Sequence, residues 1–137
     1  MKNQKWVFDI EVFKNFWSIA LLNCEDKHPL FFYAFDDGDT NMESWLFDEL
    51  KKENLIGFNS DFYDLAILQC FAANFPDLKK ATGECYKLSD AIINQKKKGF
   101  KKFKPRNHLD VKKLLRIQNS LKFCAFQMGM ELSLIHI

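Results

Sequence analysis

Several signals that assign a chain early are missing here. No window approaches the ~18 consecutive apolar residues of a membrane helix, so no membrane partner is expected. The opening residues 1–5 are polar, and the apolar run after them carries Asp9 and Glu11, so no secretory leader is expected either. The cysteines Cys24, Cys70, Cys85 and Cys124 form no C-x-x-C pair, which argues against a zinc knuckle or a redox motif. His28, His108 and His136 lack ligand-like spacing. There is no internal repeat and no linker-like segment. The net charge of +2 is too small to argue for a nucleic-acid partner from the total. A reducing, cytoplasmic setting is the expectation.

What is present is apolar and aromatic. Of 137 residues, 47% are hydrophobic and fifteen are Phe, enough for one packed domain with an aromatic core. Charge is polarised along the chain. Residues 96–106 carry seven positive charges (Lys96, Lys97, Lys98, Lys101, Lys102, Lys104, Arg106) and no acid, whereas the charges in 36–53 are mostly acidic.

Segments 6–13 (WVFDIEVF), 16–22 and 30–35 read as strands. The first two are expected to pair antiparallel across Lys14-Asn15, with Asn15 suited to a left-handed turn residue. Segment 41–53 reads as a helix and 54–58 as a fourth strand. Asn59-Ser60-Asp61 supplies N-cap chemistry for a helix to about Ala73. A further helix is expected near 87–95, a loop or hairpin over the lysines, a short strand or helix start at 108–115, and a helix at 120–130. Three adjacent strands followed by helix–strand–helix units predict an α/β fold, a mixed sheet flanked by helices.

Asp9 and Glu11 form D-x-E, and positions i and i+2 share one strand face about 7 Å apart. Two adjacent carboxylates repel, and a divalent cation between them removes the repulsion; hard oxygens suit Mg²⁺ or Mn²⁺. The other reading is an exposed face with two solvated acids. Asp64 would sit in the first turn of the next helix, able to face Asp9. Asn59 would cap that helix or contact substrate.

Together, FDIEV (8–12) and GFNSDFYDLAIL (57–68) resemble the first and second exonuclease motifs of family-B DNA polymerases. SLKFCAFQMGM (120–130) is similar to the stretch before the third motif in phage-encoded members. The resemblance covers residues 6–130. It implies an RNase H-like fold, a DEDD-type 3′→5′ exonuclease, and proofreading for a polymerase module in cis, in a phage-infected or prophage-bearing bacterial cell. It implies that Asp9, Glu11 and Asp64 are catalytic metal ligands for two ions, Mg²⁺ or Mn²⁺, held ~3.5–4 Å apart. By the same resemblance, Asn59 and either Phe62 or Tyr63 would lie beside the terminal nucleotide of a single-stranded DNA 3′ end. Asp61 competes with Asp64 for the metal role, but the family pattern places the acid after the aromatic, so Asp61 is expected to cap the helix.

The family's third motif, Tyr, three residues, then Asp, is expected downstream of Met130. Asp110 is not taken in its place, because it precedes the helix that should come first. The exonuclease domain is expected to occupy 1–131, with 132–137 (LSLIHI) reading as a translated sequencing adaptor, and the 137-residue chain is expected to be inactive or weak.

Phe100 and Phe103, interleaved with the lysines of 96–106, suit single-stranded DNA, phosphates being neutralised and bases stacked. A solvated lysine-rich loop is the equal alternative. A stand-alone exonuclease of the same type is a near neighbour of the leading reading, and a non-catalytic RNase H-like binding module is another class. A transposon-associated nuclease of this fold would lack the Asn59–Asp64 pattern.

Overall fold

The computed structural model describes residues 3–114. The three apolar runs fold as strands β1 (Lys5–Phe13), β2 (Phe16–Asn23) and β3 (Pro29–Phe35). They are followed by α1 (Trp45–Leu50), β4 (Asn54–Gly57), α2 (Asp64–Asn74), α3 (Leu78–Ile93), β5 (Asn107–Asp110) and α4 (Val111–Leu114). The strands form one five-stranded mixed sheet in the order β3-β2-β1-β4-β5. β1 pairs antiparallel with β2, and β2 with β3, while β1–β4 and β4–β5 are parallel. The chain is therefore α/β, a mixed sheet flanked by helices.

Strand alternation sorts the faces. On β1, Trp6, Phe8 and Ile10 are buried, while Asp9 and Glu11 are exposed on the other side. From β2, Trp17 stacks on Phe71 of α2 with ring centroids 3.9 Å apart and planes 13° from parallel. Phe47 of α1 and Phe75 close around Phe71, so both helices seat on the same aromatic cluster. The expected aromatic core is present, and burying one such ring stabilises the fold by roughly 1.5–3 kcal/mol.

Four local features differ from expectation. Asn15 does not adopt a left-handed backbone; the turn is instead held by Asp36 N donating to Asn15 O at 3.1 Å. Helix α1 begins four residues later than expected. Asn41 is taken up as an edge cap for β3, accepting from Tyr33 N at 2.7 Å and donating to Phe31 O at 2.9 Å. Helix α2 begins at Asp64 because Asn59 takes a left-handed conformation (φ 57°), so 59–63 form turns. Helix α3 is longer than expected. Asp77 caps it by accepting from Lys80 N at 3.1 Å, and Ala81, Cys85 and Ile92 form its buried stripe. The 108–115 stretch resolves into both readings, β5 running directly into α4. The helix expected at 120–130 and the 132–137 tail lie outside the described residues.

Candidate metal and nucleic-acid site

The pairing of β1 with β4 ends at Val7 opposite Ile56. Beyond it the chain leaves β4 through Phe58–Tyr63, so the Ile10 amide has no strand partner on that side. Asp64, the first residue of α2, fills the gap: its Oδ2 accepts from Ile10 N at 3.3 Å. A carboxylate from the helix is thereby seated at the residue between Asp9 and Glu11.

That seat is unfavourable for charge. Asp64 is only 5% exposed. Burial, then the Asp9 charge, push its carboxyl up to about 7; the Asp110 charge adds to the rise and the Ile10 amide opposes it. Glu11 is also raised, by partial burial first, then by the Asp9 charge and a hydrogen bond with Asp9. The sequence-expected acids Asp9, Glu11 and Asp64 are thus brought into one electrostatic group. Among the described residues, no three His, Cys, Asp or Glu side chains stand close enough together to form a closed ion-binding group. The donor chemistry, hard carboxylate oxygens in mutual repulsion, fits a divalent cation such as Mg²⁺ or Mn²⁺.

Asp110, set aside as a ligand, has a different task. It is buried at the end of β5, beside Gly57 of β4. Its Oδ1 accepts from Asn59 N at 2.8 Å and Lys112 N at 3.0 Å, and its Oδ2 from Asp61 N at 3.0 Å. Three backbone bonds to one carboxylate hold the whole β4–α2 turn and start α4. An Asp just before the 111–115 run is an N-cap signal, which could have exposed half of this role. The turn is fastened again where Ser60 Oγ meets His108 Nε2 at 2.7 Å. Burial holds His108 below the ordinary histidine range. Gly57 permits this packing: a Cβ there would lie 2.6 Å from Ser60 and 2.9 Å from Phe8.

Several expected roles are corrected. Neither Asn59 nor Asp61 caps α2, whose N-cap is Tyr63 with no side-chain cap bond. Asn59 Oδ1 instead accepts from Lys112 Nζ at 3.4 Å. Asp61 pairs with Lys113 and Lys102, and those bonds, Lys113 first, hold its carboxyl below the usual range. Tyr63 Oη bonds Ser89 Oγ at 2.7 Å, and burial first, then nearby negative charge, raises the phenol's pKa. Phe62 is exposed, with Lys98 Nζ 6.0 Å from its ring centroid.

In the basic segment, Phe103 is fully buried and its amide donates to Leu65 O at 2.9 Å, stapling the segment to α2. Phe100 is half-buried against the core. Phe103 therefore anchors the segment and is not a base-stacking surface. Arg106 is spent on backbone, its N donating to Glu53 O and its Nε to Lys52 O. Lys96, Lys97, Lys98, Lys101, Lys102 and Lys104 are exposed.

Comparisons with protein-family models, curated proteins and solved structures returned no match. Among the described residues no helix is long and apolar enough to cross a membrane.

Proposed function

We propose that this chain is an RNase H-like, metal-dependent 3′→5′ exonuclease domain acting on single-stranded DNA ends, of the proofreading type joined to phage-type family-B polymerases. The observation that carries the reading is Asp64. The fold buries a carboxylate beside Asp9 and Glu11, where it is electrostatically costly, and gives it no cationic side chain as partner among the described residues. Such a cost is characteristic of a site tuned for chemistry. The sheet order, with β1 central and flanked by antiparallel β2 and parallel β4, supports the RNase H-like reading.

Asp9, Glu11 and Asp64 would hold the cations. Bound there, two divalent ions supply neutralisation of the phosphodiester charge and a more acidic attacking water. The chain's own residues do the positioning. Asp110 and the Ser60–His108 bond fix the turn that carries Asn59 and Phe62. Phe62 offers an exposed ring for the terminal base. Tyr63, tied to Ser89, locks α2 against α3 and with it the position of Asp64.

The test is Mn²⁺ binding by titration calorimetry on the 137-residue chain and on Asp9→Asn and Asp64→Asn. The reading expects saturable binding that either substitution weakens at least tenfold. Equal binding by all three proteins would sink it. One observation favours a second reading, a non-catalytic nucleic-acid-binding module: the absence, among the described residues, of a closed three-ligand group. That reading expects oligonucleotide binding with no dependence on divalent cations.

A further inference from the structure

Four lysines from two separate stretches of chain gather around the turn joining β4 to α2. Lys102 Nζ lies 3.2 Å from Asp61 Oδ1, and Lys113 pairs with Asp61 Oδ2. Lys112 reaches Asn59, and Lys98 sits over Phe62. Asp61 is itself fixed, because its amide is held by Asp110. Exposed ion pairs contribute little to stability, so folding alone gives small reason for two lysines to converge on one acid. Each ammonium has three N–H donors, and Asp61 uses one from each, leaving both lysines able to take a second anion. The exposed ring of Phe62 lies beside the cluster, under Lys98, and Asp64 opens α2 three residues after Asp61.

We infer that Lys102 and Lys113, bridged by Asp61, form a phosphate-binding clamp for a single-stranded nucleic acid entering beside Asp64. The inference rests on the nucleic-acid reading above and deepens it, by assigning the backbone contacts to a pair of residues drawn from two stretches of chain. The exposed Phe62 ring beside the cluster favours a polynucleotide, whose bases can stack, over free phosphate.

The experiment is anisotropy of a labelled oligo-dT strand with the 137-residue chain across a KCl series. Each phosphate contact on a single strand contributes a slope of about 0.7 to log K against log salt. The Lys102→Gln/Lys113→Gln protein should therefore lose about 1.4 from the slope and bind about 25-fold more weakly near 0.1 M salt. Lys79→Gln/Lys87→Gln, exposed on α3, removes the same charge elsewhere and should leave the slope unchanged. Equal losses from both double variants would overturn the clamp while leaving nucleic-acid binding intact. No binding by the unsubstituted chain at low salt would overturn both. Circular dichroism matching the parent keeps either variant from being misread as unfolded.

Discussion

Replacing Asp64 with Asn should stabilise the protein above neutral pH. The Asp64 carboxyl is raised from an ordinary 3.8 to about 7, chiefly by burial and then by Asp9. Between those values the folded state holds a proton that the unfolded state has released. Stability contributed by the neutral form is therefore full below about pH 4 and is lost as pH climbs toward 7. The interval of 3.2 pH units, 7 minus 3.8, corresponds to a ceiling of about 4 kcal/mol at 1.36 kcal/mol per unit. Asn keeps the shape and leaves a carbonyl oxygen to accept from Ile10 N, so the variant escapes the penalty without losing the contact. Urea unfolding followed by tryptophan fluorescence, with Trp17 stacked in the core, reads the difference directly. At pH 8 Asp64→Asn should be more stable by about 2–4 kcal/mol, and near pH 4 the two proteins should match. Divalent cation should narrow the gap at pH 8 by stabilising the parent alone. A gap that is constant across pH, or a less stable variant at pH 8, would refute the account of this carboxylate.

Phe71→Ala should cost about 3–5 kcal/mol, since the ring stacks on Trp17 and packs against Phe47 and Phe75; a denaturant midpoint shift worth under 1 kcal/mol would contradict the packing. Asp110→Ala strands the Asn59, Asp61 and Lys112 amides, with an expected loss of about 3 kcal/mol and faster hydrogen exchange at those three positions first. Gly57→Ala drives a methyl into Ser60 and Phe8 and should destabilise by about 1–3 kcal/mol, read as a lowered melting temperature; an unchanged value would mean the turn yields freely.

The local pattern of the chain was enough for β1, β2 and β3, because strand alternation and turn chemistry act over a few residues. It put Asp9 and Glu11 on one face of β1, and the structure buries Trp6, Phe8 and Ile10 on the other. It also put Asp64 in the first turn of α2. Helix ends were less legible. Asn41, Asn59 and Asp61 all look like helix-capping residues, but each bonds to an element distant in sequence or in its backbone course.

Side-chain fate in the basic segment depended on tertiary structure altogether. A Phe between lysines reads alike whether it stacks on a base or enters a core, and only the position of α2 turns Phe103 inward and leaves Phe62 outside. Residue type and spacing, which are local, determined which acids could share a strand face. What decided that Asp64 is buried beside them, that Asp110 is consumed by backbone amides, and that Asp61 gathers lysines was the convergence of the ends of β1, β4 and β5. Burial and Coulomb interaction depend on distance in space, and that distance exists only once the sheet has assembled.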